Sequence, residues 1–131
     1  MQYFKQANLK GKVIKIKYQS KDYPRGNKSI TKEGYLYTPY GYNENDLNKK
    51  YNIIYLMHGW TMTAEHYIFK CDIITILDNM IEKKLIEPLI LVSATFDAEN
   101  KPQDFGLSVN ELRMFHKDFM GKFNLCCGDK I

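Results

Sequence analysis

The chain has 131 residues, 44% apolar and 26% charged, with a net charge of +4. That length builds one domain with a real core and excludes two. Its scattered lysines exclude a nucleic-acid footprint, which needs basic residues gathered on one face.

No apolar run approaches membrane-spanning length. Met1 to Lys10 lacks the apolar stretch of a signal peptide, so the chain as written reads as cytosolic. The cysteines are Cys71, Cys126 and Cys127. An odd count with an adjacent pair provides no disulfide framework, and the spacing matches no zinc site.

In chain order, Val13-Ile14-Lys15-Ile16-Lys17-Tyr18 alternates apolar and basic residues, the pattern of a half-exposed strand. Asp22 to Gly26 supplies turn chemistry. Gly34 to Thr38, stopped by Pro39, reads as its antiparallel partner at a sheet edge. Lysines on such an edge discourage pairing with other chains. Pro39 to Lys50 is polar and rich in Gly, Asn and Asp, a surface loop.

Tyr51 to Trp60 is an apolar run that ends abruptly at His58-Gly59, followed by a small-residue turn from Thr61 to Ala64. A run of this kind reads as a strand buried on both faces of a parallel sheet. Functional groups in such sheets collect at the carboxyl ends of the strands, which places the chemistry near His58 to Thr61. From Asp72 the period becomes helical: Ile73, Ile76, Leu77, Met80, Ile81 and Leu85 form one stripe, with Asp72 placed to cap the first turn. Glu87-Pro88 ends the helix. Leu89 to Val92 is a second fully apolar strand, ending at Ser93-Ala94-Thr95. Ser108 and Glu111 fit a capping box for a last helix, with a stripe of Val109, Leu112, Phe115, Phe119 and Phe123. Two edge strands followed by β-α-β-α is the order of an α/β sheet built by crossovers.

Four segments in order resemble one family. They are Tyr55-Leu56-Met57-His58-Gly59-Trp60, Ile76 to Ile81 with Glu87 to Val92, Thr95 to Asn100, and Ser108 to Phe119. Together they resemble serine esterases of the α/β-hydrolase fold, of the feruloyl esterase and acetylxylan esterase type, from about Tyr35 to Phe119. The resemblance implies the amino-terminal half of that fold, a single partial domain over 1–131. It implies plant cell-wall polysaccharide esters as substrates, no cofactor and no metal. Such relatives are commonly secreted, which the absent signal peptide does not match.

An ester hydrolase of this fold stabilises the developing oxyanion with backbone N–H groups, one from the loop after the His-Gly strand and one from the residue after the nucleophile. By position, that first loop is Gly59, Trp60 and Thr61, the donor being the N–H of Trp60 or Thr61, with Gly59 letting the backbone turn. Many relatives carry Gly-Gly where this chain has Thr61-Met62. Trp60 is placed to stack on a phenolic acyl group or a sugar ring, and Thr95 and Phe96 to line the same cleft. His58 is read as a packing residue, as are His66 and His116. A metal set of His58, His66 and Asp72 matches no known ligand pattern. Gly26-Asn27-Lys28-Ser29 is only superficially a phosphate loop, because no strand leads into it and the upstream glycine is missing, so nucleotide binding fails.

The nucleophile is missing. The serines are Ser20, Ser29, Ser93 and Ser108, and none stands in a Gly-x-Ser-x-Gly elbow. Full domains of this type need roughly twice this length, so the chain reads as truncated before the nucleophile strand and inactive alone. In the strand order of the fold, the missing strand lies beside Ile53 to Met57. The expectation is an open apolar edge there, self-association through it, and poor solubility. The alternative reading is a non-catalytic carbohydrate-binding or interaction module derived from the same fold.

Overall fold

The structure, a computed structural model, describes residues 4–22, 26, 28–59 and 62–95. These form four strands and two helices: β1 Lys12–Asp22, β2 Lys28–Thr38, β3 Asn52–Met57, α1 Glu65–Lys70, α2 Ile73–Glu82 and β4 Leu89–Ala94. The expected capping box at Ser108 and its helix lie outside the described residues.

The sheet is mixed and runs β1-β2-β4-β3. β1 and β2 pair antiparallel along their whole length, from Lys12 opposite Thr38 to Asp22 opposite Lys28. β2 joins β4 antiparallel only from Gly34 to Tyr37, so the rest of the hairpin runs past the end of that pairing. β3 and β4 are parallel, Asn52 opposite Leu89 through Met57 opposite Ala94. A parallel pair needs a crossover, and the 31 residues between β3 and β4, which carry α1 and α2, supply it.

β4 is the buried axis. Its side chains alternate by period two: Ile90, Val92 and Ala94 enter one cluster with Tyr18, Leu36 and Tyr51. Leu91 enters the other with Tyr35, Tyr37, Ala64, Ile68 and Leu77. Ile90, Leu91 and Val92 are almost wholly buried, each burial being worth about 1.5–3 kcal/mol. The alternation explains why the run is apolar on both parities. Gly34 lies where β2 crosses β4, and a Cβ there would sit 2.7 Å from the Ser93 carbonyl oxygen.

Two expectations are corrected, and one helix is added. β3 is not buried on both faces: Ile54 is 43% exposed and the strand is otherwise largely half-buried. Ile53 and Tyr55 pack against one core cluster and Leu56 against the other, but only partly, because among the described strands β3 is the last of the sheet and pairs with β4 alone. The small-residue turn leads from Ala64 directly into α1, a helix that apolar periodicity did not place. Asp72 occupies the N-cap position of α2 but makes no side-chain capping bond, because its backbone is left-handed (φ 51°); only its carbonyl engages the helix, accepting from the Ile76 N–H at 3.0 Å.

Leu85 also leaves the expected stripe. α2 ends at Glu82, and Lys84 turns left-handed at φ 56°. The Leu85 N–H then bonds the Met80 carbonyl at 2.9 Å and the Lys84 N–H the Ile81 carbonyl at 3.0 Å. This is the Schellman arrangement, with lysine where glycine is usual. It leaves Leu85 56% exposed. The face of α2 that packs on the sheet includes Ile74, Leu77 and Ile81, a spacing of three, then four, that also turns Asp78 inward.

Asp78 is buried at 6% exposure. Its Oδ1 accepts from the Tyr37 hydroxyl and from the Gly11 N–H, both at 2.8 Å. Asn79 donates to the Lys5 carbonyl at 2.7 Å, and Glu82 accepts from the N–H groups of Asn8 and Leu9 at 3.0 Å. These α2 side chains thus strap the segment before β1 across the helix.

Candidate active-site loop and its cleft

β3 and β4 end together, Met57 opposite Ala94, so the segments leaving the two strands meet at one edge of the sheet. After β3 come His58 and Gly59. His58 is 4% exposed, and its Nδ1 donates to the Gly59 carbonyl at 3.0 Å. A ring held inside and turned onto its neighbour's backbone braces the turn, the packing role expected for it. The Met62 N–H closes the turn on the Gly59 carbonyl at 3.2 Å.

The reason for glycine at position 59 needs correction. Gly59 is not among the residues with left-handed backbone. Among the described residues, a Cβ built there would meet only the Met62 side chain, its Sδ at 3.3 Å. The turn therefore does not demand glycine for its own backbone. Trp60, Thr61 and Phe96, which complete the expected oxyanion loop and substrate contacts, lie outside the described residues.

The far side of the loop is pinned to the sheet twice. Ser93, wholly buried in β4, donates its hydroxyl to the Ala64 carbonyl at 2.8 Å. Tyr35 of β2 donates to Glu65 Oε1 at 2.6 Å. A serine inside an otherwise apolar strand is explained by that first bond, since a buried hydroxyl without a partner costs about 1–3 kcal/mol. It also removes Ser93 from the candidate nucleophiles: its oxygen faces a carbonyl inside the protein. Ser20 is buried as well, Ser29 lies exposed where β2 begins, and Ser108 is outside the described residues.

Thr95 is 3% exposed. Its N–H donates to the Glu33 carbonyl at 3.2 Å, and its own carbonyl accepts from the Tyr18 hydroxyl at 3.0 Å. With Glu33, Tyr35, Thr63, Ala64 and Glu65 it lines a cleft of about 170 Å³. Thr95, expected at this strand end, thus lies beside Thr63 and Ala64, while Glu33, Tyr35 and Glu65 were no part of the sequence reading. Two of these belong to β2, read only as an edge strand; their signal was a carboxylate and a phenol on either side of Gly34.

The electrostatics of the cleft are balanced. Lys15 lies 2.7 Å and Lys17 3.7 Å from the two Glu33 oxygens. The Lys15 hydrogen bond holds the Glu33 carboxyl below its ordinary range, and the same bond raises Lys15. Burial first, then the bond to Glu65, pushes Tyr35 up to about 12. At neutral pH the cleft therefore presents ionised Glu33 and a protonated phenol.

No family model matches the chain. Endo-1,4-beta-xylanase Y of Acetivibrio thermocellus is 42% identical over 92 residues, 69% of this chain and 8% of that protein. A mutant of the feruloyl esterase module from Clostridium thermocellum, solved with sinapinate, is 35% identical with a TM-score of 0.64; the match covers 92% of this chain and 38% of that one. The ferulic acid esterase from Anaeromyces mucronatus, solved with ferulic acid, has a TM-score of 0.68 at 19% identity, over 92% of this chain and 45% of that one; it shares the fold. The chain thus spans less than half the length of each of these proteins.

Proposed function

Because this chain is related in sequence and fold to the feruloyl esterases, we propose that it forms one wall of a serine carboxylic-ester hydrolase acting on acyl esters of plant cell-wall polysaccharide. The observation that carries the reading is the loop that leaves β3 at Gly59 and is pinned at Ala64 and Glu65 by Ser93 and Tyr35. A backbone donor works as an oxyanion hole only when held before the reaction begins, and a preorganised donor lowers the barrier by about 3–4 kcal/mol.

In this reading the N–H of Trp60 or Thr61 faces the oxyanion, while Trp60, Thr95 and Phe96 bound the acyl or sugar pocket. The serine that attacks the ester carbonyl, the histidine that takes its proton and the acid that orients it come from sequence beyond these 131 residues. The acyl-enzyme forms as the alcohol leaves, and water releases the acid. The chain alone has no nucleophile elbow and is inactive, and the group transferred is feruloyl or acetyl. The absence of any Gly-x-Ser-x-Gly also favours a second reading, a carbohydrate-binding module that keeps the wall without the chemistry.

The test uses a short-chain aryl ester and a feruloyl ester with a fluorophosphonate serine reagent. The 131-residue chain should neither turn over nor label; a gene product extended through a Gly-x-Ser-x-Gly should do both. Labelling of the short chain would overturn the missing nucleophile. An extended product that carries the elbow but is inert to both esters would overturn the esterase.

A further inference from the structure

The cleft beside the loop has a chemistry of its own. Its lining combines acceptors and donors: Glu33, Glu65, Tyr35, Thr63 and Thr95. Next to Tyr35 stands Phe69 of α1, edge-on with ring centroids 5.1 Å apart, and 63% exposed. An exposed aromatic ring beside a polar cleft is two-sided: it offers an apolar face against C–H groups and hydroxyl partners alongside.

Charge narrows the ligand. Glu33 has an ammonium at each oxygen, Lys15 at 2.7 Å and Lys17 at 3.7 Å, so it is already neutralised and a poor cation ligand. An anion would meet the Glu65 carboxylate, which forms no salt bridge among the described residues. A neutral molecule rich in hydroxyls meets neither obstacle, because an ionised carboxylate accepts an O–H strongly whether or not a lysine shares it. The cleft's volume of about 170 Å³ is close to the ~150 Å³ of a cavity that admits benzene, room for one six-membered ring.

We propose that the cleft between β2, β4 and the start of α1 binds one neutral sugar ring on the alcohol side of the ester, with Glu33 and Glu65 accepting its hydroxyls and Phe69 against its C–H face. This rests on the esterase reading for the ring's origin, though not for the binding itself. The cleft is edged by Thr63 and Ala64, so a ring held there lies along the same loop that leaves Gly59. The site selects the alcohol part of the substrate independently of the acyl group.

The experiment is a titration of the purified chain with methyl xylopyranoside, followed by amide chemical shifts, with methyl glucuronoside as the anionic counterpart. The expected result is saturable shifts at Thr63, Glu65 and Thr95, with a Kd on the order of 1 mM. Glu33→Gln and Phe69→Ala should each weaken binding, the first by about tenfold for loss of a charged acceptor. Leu47→Ala, at a distant and 82% exposed position, should change nothing, and dispersed amide spectra confirm that each variant is folded. Shifts that spread without saturating, a Kd unmoved by Glu33→Gln, or equal binding of the glucuronoside would overturn the proposal. Sugar binding with an inert extended enzyme would sink the esterase and leave the site. An active enzyme without sugar binding would do the reverse.

Discussion

The Asp78 cluster offers the sharpest test of how this fold is held. Asp78→Ala removes the acceptor of two bonds at once, from the Tyr37 hydroxyl and the Gly11 N–H, each 2.8 Å long. Tyr37 is wholly buried, so its hydroxyl cannot turn to water. Each stranded donor costs about 1–3 kcal/mol, and losing the buried carboxylate returns part of that by ending its own desolvation. A net loss of about 3 kcal/mol is expected. At an m-value of ~1.5 kcal/mol/M, that lowers the urea midpoint by about 2 M.

Asp78→Asn separates charge from hydrogen bonding. Both donors share Oδ1, and an amide oxygen in that place still accepts both, so this variant should lose only about 1 kcal/mol. Tyr37→Phe completes a double-mutant cycle with Asp78→Ala, whose coupling should be about 1–2 kcal/mol. The assay is equilibrium urea unfolding followed by fluorescence. A loss under about 1 kcal/mol for Asp78→Ala, or a coupling near zero, would refute the argument that this carboxylate is the internal acceptor joining α2, β2 and the strapped segment.

Three other outcomes rest on the same physics. Gly34→Ala puts a Cβ 2.7 Å from the Ser93 carbonyl oxygen, which is backbone and cannot yield; the β2–β4 pair must part, at a cost of about 1–3 kcal/mol read from the urea midpoint. Tyr35 is raised to about 12 in the folded chain, against an ordinary value near 10. The unfolded chain then releases this proton first, so stability is full below about pH 10 and falls as pH rises toward about 12. Tyr35→Phe should flatten that decline in alkaline unfolding curves, and an unchanged slope would contradict the raised pKa. The Tyr51 hydroxyl is buried with no hydrogen-bond partner among the described residues, so Tyr51→Phe should be neutral or stabilising by up to about 1 kcal/mol. A loss beyond that in the thermal midpoint would reveal a partner for it.

Much of the fold was legible in local pattern. Period-two alternation marked β1, the all-apolar run marked β4, and helical spacing marked α2, because each reflects how one element meets one neighbour. The boundary at Glu82 was less legible: Lys84 in a left-handed turn carries no glycine to announce it. At the candidate site, the strand ends next to Gly59 and Thr95 were visible as the places where apolar runs stop. Glu33, Tyr35 and Glu65 were not, since β2 and α1 come together only through packing.

The sequence by itself determined which segments could bury themselves and where their buried runs ended. Apolar periodicity is written residue by residue and is decided by contact with water. Tertiary structure alone decided what those ends face. It left Ile54 exposed on β3, at the outside of the described sheet, where composition reads a strand buried on both faces and only the strand order of the resembling fold points to an open edge. It turned Asp78 inward to meet Tyr37, and it brought Ser93 under Ala64. Each depends on a partner 29 or more positions away. The free energy of a buried polar group is set by the partner that meets it, and no local pattern carries that information.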